Sequence, residues 1–261
     1  MAKKLAALIP ILVGIALGIL VTRAPAAMKS AGPLAMVLAV VLVFALLTGF
    51  IAWMIGRNLP AQIALTSLPE GSTPPEVRAL VDAYRALGFT PAGPPREAGV
   101  MPPALLVPLV HEGERCYGTV FRTGTIPAKT SYDVVSILDG DRGGLTTGPD
   151  PAGTTLPGAP GNLRQVFPRA TVAALFGRHR EALTFLRSRG LGVRAVSAAS
   201  FEADLRASFA RQRKAFLGAP LRWALIALWR SATKRTPHLG PLATQKIAAR
   251  QLRELATGTR A

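Results

Sequence analysis

The hydrophobic pattern begins with two long uncharged runs, one over residues 5–21 and one over residues 34–55. As helices, runs of 17 and 22 residues would be about 26 and 33 Å long, and the hydrocarbon of a bilayer is roughly 30 Å thick. The connection between them is short, so the simplest arrangement is a hairpin with both ends on one side. The pattern therefore predicts a transmembrane hairpin over residues 1–57, with spans at about 5–22 and 33–56.

The first run also has features of a secretory signal. Lys3 and Lys4 give it a basic start, and Ala24-Pro25-Ala26 resembles a small-residue cleavage site. Its apolar core of 17 residues exceeds the roughly 7 to 15 residues usual for a signal peptide, which favours a retained span.

The composition of the two runs indicates an anchor. Neither run contains Asp, Glu, Lys, Arg or His, whereas ion paths and proton relays use such groups inside the membrane. Gly14 and Gly18 would share one helical face and let another backbone approach closely. We interpret this pair as packing inside the hairpin, with dimerisation as the alternative.

After a linker over residues 58–73, the pattern becomes that of an α+β domain over residues 74–199. Thr73-Pro74-Pro75-Glu76 is a typical helix start, and apolar residues at helical spacing follow it as far as Tyr84. Helical spacing returns at Val172.

Between these two helices the period changes to that of strands. Short runs at 105–111, 116–123 and 131–138 are rich in β-branched and aromatic residues, and short connections between them favour an antiparallel meander. Pro108 cannot donate a ladder hydrogen bond, which predicts that the first of these strands lies at an edge. The fold class is therefore predicted to be a two-helix transmembrane hairpin followed by a soluble α+β domain with a short antiparallel β-meander flanked by helices.

Residues 200–261 are predicted to form a basic amphipathic helical tail. The seven apolar residues from Trp223 to Trp229 are too few to span a bilayer, and cations bracket them. A short apolar helix with tryptophans and flanking cations suits the plane of a membrane interface. Packing of this helix into the soluble domain is an equal alternative. The lipid-interface candidates are Arg222, Trp223, Trp229, Arg230, Lys234 and Arg235.

Charge sharpens the division of the chain into three parts. The net charge is +17 although the mean hydropathy is +0.32, so charged and apolar residues must lie in different segments. Residues 1–57 hold five basic residues and no acid, residues 58–205 hold 14 basic and 13 acidic residues, and residues 206–261 hold 12 basic residues and one acid. The basic tail fits an anionic lipid surface. Nucleic acid is a disfavoured partner, because the run from Trp223 to Trp229 is too continuously apolar to leave in water.

A candidate metal loop begins at Asp139-Gly140-Asp141 and reaches Asp150 at its twelfth position, in the manner of a calcium loop. Gly143 supplies no side-chain oxygen at the fifth position, and a hairpin turn explains these residues without a metal. We therefore expect no metal and no cofactor, with Asp139, Asp141 and Asp150 as weak candidates.

Motifs for catalysis are also sparse. The sequence contains no phosphate loop, nucleophile elbow or His-Glu-x-x-His pair. His179 lies on the apolar face of its helix, as a hydrogen-bonded core histidine would, and the single cysteine, Cys116, is predicted to be a buried thiol.

Together these features predict an integral protein of a bacterial inner membrane with both termini in the cytoplasm. The preference for Arg over Lys and the abundance of Ala, Gly and Pro suggest a GC-rich bacterial genome. We expect a non-enzymatic binding or assembly module whose tail contacts anionic headgroups, with a protein partner or a homodimer as further partners. The alternative is a membrane-tethered enzyme with a site built from non-adjacent residues around the meander.

Overall fold

The computed structural model describes residues 33–59, 61–69, 71–99, 103–124, 128–150, 158–233 and 239–246, together with residues 249, 251, 252 and 255. The predicted first span, with Gly14 and Gly18, lies outside these residues. Backbone contacts divide the chain into two units, Met1–Trp53 and Met54–Ala261.

The first unit contains most of helix α1, which runs over Pro33–Asn58. Within it, Val37–Gly56 is the one segment among the described residues that is long and apolar enough to cross a membrane. Its large apolar side chains at Val37, Val41 and Phe44 are exposed. An apolar helix near the amino terminus is therefore confirmed, while the two-helix hairpin is not shown.

The second unit combines helices with an eight-stranded sheet, as the α+β prediction requires. Its helices are α2 (Pro75–Arg85), α3 (Val172–Ser188), α4 (Phe201–Gly218) and α5 (Pro220–Thr233). Its strands are β1 (Leu65–Ser67), β2 (Thr90–Pro91), β3 (Arg96–Ala98), β4 (Ala104–His111), β5 (Cys116–Thr123), β6 (Lys129–Ile137), β7 (Gly144–Gly148) and β8 (Asn162–Val166).

The strand order is β1-β3-β4-β5-β6-β7-β8, and β2 also pairs with β4. Strands β4 to β7 are successive antiparallel neighbours, so the predicted meander is present. Strand β8 pairs with β7 in parallel. The sequence pattern did not predict this parallel pairing.

The prediction that Pro108 marks an edge strand is wrong. Strand β4 lies inside the sheet, with β5 on one side and β2 and β3 on the other. The two short strands pair with residues 109–110 and 104–106 of β4, so the ladder is interrupted at Pro108. Its carbonyl accepts a hydrogen bond from the Ala92 amide at 3.0 Å. The proline is tolerated because neither short strand pairs with this position.

Helices cover both faces of the sheet. On one face, Val77, Val81 and Tyr84 of α2 and Phe176 of α3 pack on the strands. On the other face, Phe201 at the start of α4 meets the Tyr117 ring, with centroids 5.1 Å apart. Burial on both faces explains why β4 is a nearly continuous apolar run rather than an alternating one.

Candidate functional site

The break between α4 and α5 forms an elbow, which we define as residues 216–223. Ala219 leaves the helical conformation with φ −155° and ψ 58°, and Pro220 then begins α5. A proline is favourable here because the first helical residue needs no amide hydrogen bond within the helix. The Trp223 ring packs edge-on against Phe216, with centroids 5.8 Å apart.

The elbow packs against the end of α1. A Cβ atom added at Gly56 would lie 3.0 Å from the Phe216 ring, so a side chain here would require the ring to shift. Arg213 donates a hydrogen bond from Nη1 to the Leu59 carbonyl oxygen at 2.6 Å. Carbonyls at a helix end lack partners in the helix itself, and a cation stabilises that end of the helix dipole.

One face of α5 is exposed and apolar. We call Leu221, Leu225 and Trp229 the α5 stripe, and they are 58%, 41% and 64% exposed. The opposite face is buried, with Trp223 at 5% and Ala224 at 0% exposure. Because successive members of the stripe are four residues apart, all three lie on one side of the helix.

The structure separates the candidates for the lipid interface. Arg222 is exposed and adjoins the α5 stripe, while Trp223 belongs to the buried face. Arg230 is half-buried, and burial lowers the pKa of its guanidinium. Lys234 and Arg235 lie outside the described residues.

A polar cluster lies on the meander where the sequence had shown no motif. Asp133 of β6 is directly opposite Thr119 of β5 and accepts a hydrogen bond from its hydroxyl. Burial raises the pKa of the Asp133 carboxyl from its ordinary 3.8 to about 6, against the lowering effects of Thr119 and the nearby Arg164. Sequence reasoning missed this group because only the sheet register brings the three residues together.

On the same face of the sheet, Tyr117 donates a hydrogen bond to Oδ2 of Asp204 at 2.7 Å. Arg194 forms an ion pair with the other carboxylate oxygen of Asp204. Burial is the main cause that raises the pKa of Tyr117, so the phenol stays protonated as a donor. These contacts hold the first turn of α4 to the sheet.

His179 forms a buried hydrogen-bond chain. Its Nε2 lies 3.0 Å from Ser136 Oγ and its Nδ1 lies 2.9 Å from Thr147 Oγ1. Ser136 donates its own hydroxyl proton to the Arg115 carbonyl, so Nε2 carries the imidazole proton and Thr147 donates to Nδ1. Burial lowers the pKa of His179 from 6.5 to about 3, and the imidazole is neutral.

His111 and Cys116 are cross-strand neighbours in β4 and β5. The His111 ring packs against Phe89 and Phe176, and its Nδ1 accepts a hydrogen bond from the Glu114 amide. Burial raises the pKa of the Cys116 thiol to about 12, which keeps it protonated and unreactive.

The weak metal candidates lie in and after a turn in the structure. Asp139 is exposed in a short 3-10 turn, and Asp150 pairs with Lys129 at 2.7 Å. The Asp141 side chain lies outside the described part. Among the described residues, no three His, Cys, Asp or Glu side chains are grouped to hold a metal ion.

The comparisons with known proteins assign no relative. No family model matches the chain, and neither the curated proteins nor the solved structures gave a match.

Proposed function

We propose that the protein is a membrane-anchored, non-enzymatic binding or assembly module whose basic helices contact anionic lipid headgroups. One observation carries the proposal: Phe216 of the elbow lies against Gly56, and Arg213 of α4 donates to the Leu59 carbonyl, both at the end of the apolar helix α1. If α1 crosses a membrane, the end of α4 and the start of the elbow lie close to the residues at which α1 leaves it. We place the chain in a bacterial inner membrane with both termini in the cytoplasm.

The charge of this region fits that position. Arg206, Lys214 and Arg222 are exposed on α4 and α5, and α5 contains no acidic residue. The cytoplasmic leaflet carries anionic lipid, and each Lys or Arg near it gains about 1 kcal/mol. The attraction falls off over a Debye length of about 8 Å at physiological salt, so it acts only on cations close to the surface.

The sheet supports a binding role rather than a catalytic one. Its strands are packed by α2 and α3 on one face and by the start of α4 on the other. Cys116 is buried in this apolar packing, and the His111 ring packs against Phe89 and Phe176.

The test uses the full chain in nanodiscs of neutral phosphatidylcholine and in nanodiscs containing phosphatidylglycerol. We expect slower amide hydrogen exchange over residues 201–233 in the anionic discs, and loss of that difference at high salt. Arg222→Gln should reduce the difference, whereas Arg187→Gln, an exposed charge change on α3, should not. Equal exchange in the two lipids would overturn the lipid contact.

A membrane-tethered enzyme is the second candidate, and Asp133 is the group that favours it. A carboxyl whose pKa is about 6 can donate and accept protons near neutral pH, as a general acid or base must. Labelling with a carbodiimide and an amine tests whether the carboxyl is reachable in the folded protein. An enzyme site predicts labelling of Asp133 at a rate comparable with exposed Asp82, and a structural role predicts labelling only after unfolding.

A further inference from the structure

We infer that the α5 stripe inserts into the boundary between headgroups and acyl chains of the membrane that carries α1, so that α5 is a second attachment lying in the membrane plane. This inference rests on the proposed function and adds an apolar contact to the electrostatic one. Its occupant is the lipid surface itself.

The shape of α5 supports insertion. Its 14 residues would be about 21 Å long, too short to cross roughly 30 Å of hydrocarbon, so the helix lies along the surface. Burial of Trp223 and Ala224 holds the helix to the rest of its unit, which fixes which side faces outward. The outward side consists of Leu221, Leu225 and Trp229, and Arg222 adjoins it. An apolar face with a tryptophan and a bordering cation is the pattern of interfacial helices.

The end of α4 also presents an exposed apolar side chain. Leu217, just before the break, is 56% exposed, so four large apolar side chains around the elbow are open to the surroundings. Single exposed leucines are ordinary, but the three members of the α5 stripe are neighbours on one helix face, and such a group marks a contact surface.

Two observations favour lipid over a second copy of the chain. First, Phe216 in the elbow contacts Gly56, the last residue of the candidate span, so the surface begins where α1 ends. Second, a self-contact would bring Lys214 and Arg222 of each copy towards like charges, with no acid in α5 to compensate. Anionic lipid would neutralise the same cations.

The test measures the depth of Trp229 in the full chain. The protein has three tryptophans, so Trp53→Phe with Trp223→Phe leaves Trp229 as the single fluorophore. The matched control is Trp53→Phe with Trp229→Phe, which leaves the buried Trp223. Both are reconstituted in bilayers of phosphatidylcholine, with and without phosphatidylglycerol, in which a fraction of the lipid is brominated near the headgroup end of its chains.

We expect brominated lipid to reduce the Trp229 emission about twofold, as a ring at the interface requires, and to affect Trp223 much less. Aqueous iodide should quench Trp229 weakly. If the Trp223→Phe change prevents folding, the difference in bromine quenching between the native chain and Trp229→Phe gives the same quantity.

Two results would overturn insertion. Strong iodide quenching of Trp229 without bromine quenching would show that the stripe faces water. Protection from both quenchers that depends on protein concentration would show that a second copy covers it. Bromine quenching that is equal with and without phosphatidylglycerol would support insertion while removing the electrostatic part of the proposed function, so the two failures are distinct.

Discussion

The hydroxyl of Tyr117, in the middle of the sheet, donates to the carboxylate of Asp204, in the first turn of α4, over 2.7 Å. Asp204 is buried and also pairs with Arg194, so its carboxylate has one partner on the sheet and one in the segment before α4. The helix that leads to the elbow is therefore fixed at its start by a buried charged hydrogen bond.

Tyr117→Phe removes this donor and leaves the buried carboxylate with one partner fewer. We expect a loss of about 1.5–3 kcal/mol in the free energy of unfolding, as for hydrogen bonds to charged groups. Tyr132→Phe is the matched control, because its hydroxyl donates to the neutral carbonyl of Ala170 at 2.6 Å. Denaturant unfolding in detergent should show a smaller loss there, about 0.5–1.5 kcal/mol. Equal losses would contradict the special role of Asp204.

At the other end of α4, Arg213→Met removes the hydrogen bond to the Leu59 carbonyl. We expect faster hydrogen exchange over residues 216–233, since the end of α4, next to the elbow, then loses a contact with the end of α1. Lys214→Met makes the same change in charge and apolar character at an exposed neighbouring position and should leave this exchange unchanged. The same increase in both variants would mean that charge, not the contact, matters.

Because His179 is buried, we expect the free energy of unfolding to fall in acid. Its folded pKa is about 3 and its ordinary value is 6.5, so its contribution is complete above pH 6.5 and falls as the pH drops towards 3. Between pH 6.5 and pH 4 this amounts to about 3 kcal/mol. Asp133 acts in the opposite direction, because its pKa is raised and its protonation stabilises the fold as the pH falls from about 6 to 3.8.

Unfolding of a His179→Gln variant across this range tests the assignment. The substitution should cost about 2–4 kcal/mol at pH 7, because it leaves a gap and unpaired hydroxyls at Ser136 and Thr147. The difference from the native chain should shrink as the pH falls to 4. A difference that stays constant with pH would show that the imidazole titrates normally.

Alanine substitutions at Gly118 and Gly177 form a matched pair that tests how closely the helices pack. A Cβ atom at Gly118 would lie 2.7 Å from Cε1 of Tyr84, while one at Gly177 meets nothing within 4 Å. Gly118→Ala should therefore destabilise by about 1–3 kcal/mol through overpacking. Gly177→Ala, inside helix α3, should stabilise by about 0.5–1 kcal/mol. Thermal melting of both variants in detergent gives the comparison, and a stable Gly118→Ala protein would contradict the close α2–sheet contact.

The sequence predicted the helices and the meander because their signals are local. The helix starting at Pro75 and the turn between His111 and Cys116 depend on residues within one or two turns of each other. The parallel pairing of β8 depends on a connection whose length and composition carry no register information. Pro108 lies inside the sheet because two short strands, β2 and β3, pair beside it. These strands are too brief to leave a periodic pattern in the sequence.

The candidate site was predictable only in part. The apolar run from Trp223 to Trp229 and its flanking cations are visible in the sequence, but which tryptophan faces outward depends on where Phe216 lies. Asp133 carries no motif at all, and its raised pKa follows from burial beside Thr119 across two strands. Such contacts join residues that are far apart in the chain, so local patterns do not contain them.

The claim on which the proposed function depends most is that α1 anchors the chain in a membrane. Alkaline carbonate extraction of membranes from cells that make the full chain tests it directly, because this treatment releases proteins held only by surface charge. We predict that the protein stays in the membrane pellet and leaves it only with detergent. Release into the alkaline supernatant would contradict a spanning α1 and, with it, the placement of α4 and α5 at the lipid surface.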